Sequence, residues 1–172
     1  MTMGKHGNRI IKDLEIGAII ETLNRAYADE WLAYYQYYIE SKIVKGIMKD
    51  AIIAELDQHA ADELRHASMI AGRIAQLGGV PLLSPEEMIK HSGCGYTRPE
   101  NFDVVGVLED AIDGEQCAID TYSSILEMTR NRDVVTYDLV SSILADEVEH
   151  EEDLQALYDD ISEFIDDMRR IV

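Results

Sequence analysis

Basic residues are scarce in this chain: 15 Lys and Arg stand against 34 Asp and Glu, for a formal net charge of −19. A surface so negative repels phosphate backbones and anionic lipid, so cations are the expected partners rather than nucleic acid or a membrane. Cysteine is nearly absent, and two residues, Cys94 and Cys117, cannot build a disulfide framework. Only three prolines occur, Pro81, Pro85 and Pro99, all in one stretch, which leaves the rest of the chain free of that helix breaker. No run approaches 18 uninterrupted apolar residues, so no membrane span is expected. A polar N-terminal tail, residues 1–12 with Lys5, Arg9 and Lys12, leads into no apolar signal core, and the expected location is cytoplasmic.

What is present reads as one all-α domain over residues 13–170. The chain has 172 residues, 47% of them apolar, enough to bury a sizeable core without staples. Apolar residues recur every three to four positions nearly throughout. Four long helices are predicted, over 13–44, 48–77, 103–129 and 134–170. Asp13 and Asp133 are candidate caps, and Gly46 and Gly78-Gly79 are stops. The short links 45–47 and 130–132 predict two antiparallel hairpins. Between them, 78–102 is long enough to return along a whole helix and carries Ser84-Pro85-Glu86-Glu87, a capping box that predicts one short helix. The expected architecture is a four-helix bundle with a single long crossover.

The two halves repeat at polar positions. Glu30-x-x-Ala33-x-x-x-Tyr37 returns as Glu115-x-x-Ala118-x-x-x-Tyr122, an offset of 85 residues. Ala61-Asp62-Glu63-Leu64-x-His66 returns as Ala145-Asp146-Glu147-Val148-x-His150, an offset of 84. Chance supplies about half of one Glu-x-x-His in a chain of this composition, so the matched strings carry more weight than the bare motif.

Helical phase places these groups on apolar faces. Glu30 shares a stripe with Leu23, Tyr27, Tyr34 and Tyr37; Glu63 and His66 share one with Leu56 and Ile70. Glu115 falls among Leu108, Ile119 and Tyr122, and Glu147 and His150 among Ile143 and Leu154. All six are therefore expected in the core. Four buried carboxylates bring a charge of −4, and no Lys or Arg lies on these stripes to balance it. Burying such charge costs several kcal/mol per ion unless it is compensated, and two divalent cations supply +4. Oxygen and imidazole donors suit iron, manganese or zinc. The alternative is that these are surface acids of a very acidic protein.

One Glu from each of two helices, with Glu-x-x-His from two others, is the ligand pattern of di-iron and di-manganese carboxylate bundles. On these residues the chain, from about 13 to 168, resembles the ferritin-like superfamily, and its ligand pattern is similar to that of bacterioferritin. The resemblance implies two metal ions, iron above all, held by Glu30, Glu63, His66, Glu115, Glu147 and His150, with Glu63 and Glu147 bridging. It also implies that Tyr37 and Tyr122 hydrogen-bond those bridging carboxylates. Bacterioferritin carries a haem-ligating Met directly after the Glu of its second helix; Leu64 stands there, so haem is not expected. Glu115-Gln116-Cys117-Ala118-Ile119, with Cys94 in the crossover, resembles the Dps-like thioferritins, dodecameric cages with a cysteine pair beside the di-iron site. Two unrelated thiols remain the alternative, and pairing between Cys94 and Cys117 stays open.

The expected function is thus that of a ferroxidase and iron-storage protein: Fe(II) is oxidised by peroxide or dioxygen at the site and kept as Fe(III) in a homo-oligomeric cage, protecting against oxidative stress. A manganese catalase, a rubrerythrin-like peroxidase and a di-iron hydroxylase are rival readings on the same scaffold, and a purely structural bundle is another. His59, one turn before Glu63, either lines the path to the site or is a core histidine. Trp31 and the tyrosines near Glu30 either pass electrons or pack. The acidic run 146–153 either draws in iron or is a solvated face.

Overall fold

The structure is a computed structural model that describes residues 7–171. Lys5, in the expected polar tail, lies outside them. A short 3-10 turn, Gly7–Ile10, precedes α1 (Ile16–Ile43), α2 (Lys49–Leu77), α3 (Pro85–His91), α4 (Val104–Thr129) and α5 (Val134–Ile171). No strand occurs among the described residues; Lys45 and Asp103 make one isolated bridge.

Each boundary has a local cause. Gly78 ends α2 in the left-handed region at φ 87°, as the Gly-Gly pair predicts. Ser84 and Glu87 close the capping box on α3. The Asp103 carboxylate accepts from Val105 N and Gly106 N, both at 3.0 Å, to start α4. Asp133 accepts from Thr136 N at 3.2 Å at the start of α5, and both its oxygens accept from the buried Arg73 Nη2, at 2.9 and 2.8 Å, which ties this turn to α2.

Two expected boundaries need correction. Asp13 does not cap α1: it sits at φ 49°, where Lys12 N, bonded to Arg132 O at 2.9 Å, fastens the chain to the α4–α5 turn. The helix starts three residues later, behind Glu15, with no side-chain cap. Gly46 does not close α1 either, because the helix ends at Ile43 and Val44 is already extended. Gly46 takes φ 131° beside Val104, whose Cγ1 would lie 3.2 Å from an added Cβ.

The helix pairs pack as the short links predict, α1 along α2 and α4 along α5, and the crossover lays α3 against α1. Two apolar clusters fill the bundle. One holds Leu56, Val107, Leu108, Leu154 and Ile161. The other holds Leu23, Ile70, Ile74, Ile125, Val140 and Ile143. Along every long helix Glu30, Glu63 and His66, Glu115, or Glu147 and His150 fall between a member of one cluster and a member of the other, so these six form a polar layer between two apolar ones. Among the described residues, no helix is long and apolar enough to cross a membrane.

Candidate metal centre

All six predicted groups meet in that layer, and none is more than 4% exposed. α1 supplies Glu30, α2 supplies Glu63 and His66, α4 supplies Glu115, and α5 supplies Glu147 and His150. The residues three apart in each Glu-x-x-His project from one helix face, which is why each histidine ends beside its own glutamate. They fall into two sets of four, Glu30, Glu63, His66 and Glu147 in one and Glu63, Glu115, Glu147 and His150 in the other, with ligand atoms in each set within 4.8 Å of one another. Glu63 and Glu147 belong to both.

The distances are those of donors around an ion. His66 Nδ1 lies 3.0 Å from Glu147 Oε1, 3.4 Å from Glu30 Oε2 and 3.7 Å from Glu63 Oε2. His150 Nδ1 lies 3.3 Å from Glu63 Oε1 and 3.6 Å from both Glu115 Oε1 and Glu147 Oε2. Bonds of about 2.1 Å put neighbouring donors about 3.0 Å apart in an octahedron and about 3.4 Å apart in a tetrahedron. Glu30 Oε2, Glu63 Oε1, both Glu147 oxygens and both histidine Nδ1 atoms are buried without a hydrogen-bond partner. Buried polar atoms rarely stay unpaired, and here they are aimed at shared points. The donor set therefore fits a pair of divalent cations.

The electrostatics point the same way. Burial, and then the neighbouring charge of Glu63, pushes Glu30 well above the usual carboxylate range. Burial also raises Glu115, with Glu63 and Glu147 adding to the effect against the opposing pull of His150. Burial by itself would lower His150, but Glu115, Glu147 and Glu63 outweigh it and push the imidazole up to about 12. A cluster that holds protons this tightly is short of positive charge, and a cation can supply it by displacing them.

A second ring of contacts corrects one expectation and adds two residues. The Tyr37 hydroxyl donates to Glu115 Oε1 at 2.5 Å, and Tyr122 donates to Glu30. The tyrosines thus orient the unshared glutamates of the opposite hairpin, not Glu63 and Glu147, because each reaches across the α1–α4 seam. On the other side, His66 Nε2 meets Asp146 Oδ2 at 3.0 Å and His150 Nε2 lies 3.7 Å from Asp62 Oδ2. A carboxylate on the far nitrogen fixes the imidazole and leaves Nδ1 for the site. Neither Asp62 nor Asp146 was singled out from the sequence. The signal was present, since both lie inside the repeated Ala-Asp-Glu strings.

Cys94 and Cys117 are joined by a disulfide. Cys117, two residues after Glu115 and so about 200° round α4, is half-buried beside Cys94 of the crossover. Both cysteines line a cavity of about 220 Å³ whose walls also include Glu30, Glu63, Glu115 and Glu147. Asp29, next to Glu30 and buried, pins the cysteine loop: it accepts from Ser92 Oγ, from Gly93 N at 2.8 Å and from Cys94 N at 3.0 Å. Trp31 packs edge-on between Tyr27 and Tyr34. His59 is fully buried and stacked on His150 with ring centres 4.0 Å apart, and burial first, with His150 adding, lowers it to about 4. Leu64 is 39% exposed on the outer face of α2.

A ferritin-like domain model matches residues 20–164. The chain belongs to the ferritin-like family. Among related solved structures is the dodecameric thioferritin described as the bacterioferritin-related protein of Bacteroides fragilis, with a TM-score of 0.88 and 40% identity over 90% of this chain and 92% of that one. The DNA protection during starvation protein of Pyrococcus furiosus is 29% identical over 87% of this chain and 82% of its own length. A bacterioferritin of Desulfovibrio desulfuricans is 31% identical over 77% and 69%. These matches agree with the all-α ferritin-like bundle and its single crossover.

Proposed function

We propose that this ferritin-like chain is an iron-oxidising, iron-storing subunit. Glu30, Glu63, His66, Glu115, Glu147 and His150 bind two Fe(II) ions, with Glu63 and Glu147 shared between them. The two ions give one electron each to hydrogen peroxide, which takes up two protons and leaves as two waters. With dioxygen as oxidant the same pair supplies the first two electrons, and peroxide is the product. Anionic oxygen donors favour Fe(III) over Fe(II), so the site drives oxidation rather than plain binding. Fe(III) then moves into the interior of a cage built from copies of this chain, a dodecamer by analogy with the B. fragilis thioferritin. The reading sets the cage in the cytoplasm, where removing peroxide in two-electron steps protects against oxidative damage. There the Cys94–Cys117 bond is a redox-responsive pair rather than a permanent staple.

One observation carries this reading: two buried donor sets share two carboxylates, and their facing atoms are left unpaired. Size-exclusion chromatography after anaerobic Fe(II) loading and peroxide addition tests it. Iron eluting with a protein peak of about twelve 19.4-kDa chains, far in excess of two per chain, is expected. Peroxide turnover with no iron retained would reject storage, and failure to bind Fe(II) at all would reject the whole proposal.

A further inference from the structure

One of the places where the internal repeat fails lies on the α2–α5 seam, beside the buried centre. At the 84-residue offset, Glu55 and His59 of α2 match Leu139 and Ile143 of α5, and Asp153 of α5 matches Met69 of α2. At the apolar end, Met69, Leu139 and Ile143 pack in one cluster. At the other end three polar groups stand where the fold has shown that apolar ones serve.

Those three groups converge. His59 has no exposed surface, and neither ring nitrogen has a hydrogen-bond partner. Its Nε2 lies 3.1 Å from Glu55 Oε1 without the alignment of a hydrogen bond, which is the spacing of two donors on one ion. A carboxylate oxygen of Asp153 completes the trio, with ligand atoms all within 4.8 Å of one another. Glu55 and Asp153 are like charges brought face to face from two helices, and both keep part of their surface in solvent.

The other edge of the same ring faces inward. His59 Nδ1 is 4.0 Å from Glu115 Oε1. His59, Glu115 and His150 also form a trio with ligand atoms within 4.8 Å. One imidazole therefore stands between an outer set of donors that meets solvent and the buried centre.

We propose that Glu55, His59 and Asp153 form a third divalent-cation site, the outer member of a chain of donors that leads through His59 to the central pair. A neutral imidazole with two carboxylates balances a 2+ ion and suits iron, manganese or zinc, with water completing the coordination. The preceding reading enters only as the ion's destination; binding at the outer trio does not depend on it.

Mn(II) is the probe, because its anomalous scattering locates it and it is not oxidised during a soak. Crystals of the full chain soaked in Mn(II) are expected to show a peak bounded by Glu55, His59 and Asp153 besides those at the centre. Titration in solution is expected to fall by one Mn(II) per chain in Asp153→Asn and in Glu55→Gln, with central peaks and circular dichroism unchanged. These surface-reaching variants keep the test independent of His59→Ala, which opens a cavity in the core. A filled centre with no density at the trio, or a stoichiometry untouched by both variants, would overturn the proposal. A filled trio beside an empty centre would uphold it while rejecting the central reading, and density at neither would reject both.

Discussion

The hairpin α1–α2 and the hairpin α4–α5 carry the same polar kit: one Glu, one Glu-x-x-His, one Tyr and one Asp preceding the motif's Glu. The Tyr and the Asp of each hairpin serve the other one. Tyr37 serves Glu115 and Tyr122 serves Glu30; His66 leans on Asp146 and His150 on Asp62. The halves differ around this shared kit. Arg65, which bonds Asp62 at 2.8 Å and Asp146 at 3.0 Å, matches Glu149; Glu40 matches Ile125; His59 matches Ile143. Repetition therefore marks the candidate centre, and its loss marks the positions at which the two halves have diverged.

The largest break in this comparison comes from the residues that belong to both halves of the site. Glu63→Gln and Glu147→Gln each remove charge from both donor sets, so Fe(II) oxidation, followed by stopped-flow absorbance, is expected to fall by more than about 100-fold. Glu30→Gln and Glu115→Gln each affect one set, and anaerobic Fe(II) titration is expected to lose one ion per chain instead of two. Equal losses from shared and unshared glutamates would refute the bridged arrangement.

The aspartates sharpen the comparison. Removing a carboxylate behind a ligating histidine typically weakens metal binding about 10- to 100-fold. Asp146→Asn is expected at the upper end, since its contact with His66 is 3.0 Å against 3.7 Å for Asp62 and His150. Competition against a chelator of known affinity measures the two.

Glu40 gives the next effect. It has no exposed surface, Gln36 donates to its Oε1 at 3.2 Å, and burial raises its pKa to about 8. The folded chain thus keeps a proton there that the unfolded chain releases near its ordinary value of 4.5. That contribution to stability is whole below the lower value and is lost as pH rises toward the upper one. Glu40→Gln is expected to flatten this part of the pH profile in urea denaturation, by at most about 3 kcal/mol between pH 5 and 8. A variant that follows the parent slope would count against the assignment.

The smallest effect is a difference near zero. Tyr37→Phe and Tyr122→Phe each leave a buried carboxylate one donor short, at a cost of about 1 to 3 kcal/mol. Equivalent halves require the two costs to agree within about 0.5 kcal/mol.

The helices, the crossover and the six central groups were legible because each rests on a periodic signal: apolar spacing, Gly-Gly and Ser-Pro-Glu-Glu punctuation, and a repeat in phase with the core. What was not legible depends on contacts between helices. The partners of Tyr37 and Tyr122 follow from which helix lies across the seam, a matter of packing and not of spacing along either chain segment. Asp13 looked like a cap until the Lys12–Arg132 bond turned the chain before the helix began. Asp62 and Asp146 are hidden from the apolar-spacing signal because an acid one residue from a buried glutamate projects about 100° away around the helix, which on a single helix reads as solvent-facing.

The crossed tyrosine bonds bear on ancestry and assembly. A peptide comprising one hairpin has every side chain of half a centre, yet the acceptor for its tyrosine and the support for its histidine are both on the other hairpin. Two such peptides, docked about a twofold axis, would regenerate the centre with its partners intact. In this chain the crossover joins the two hairpins, so no axis obliges their outlying positions to be identical, and at Glu40, His59 and Arg65 they are not.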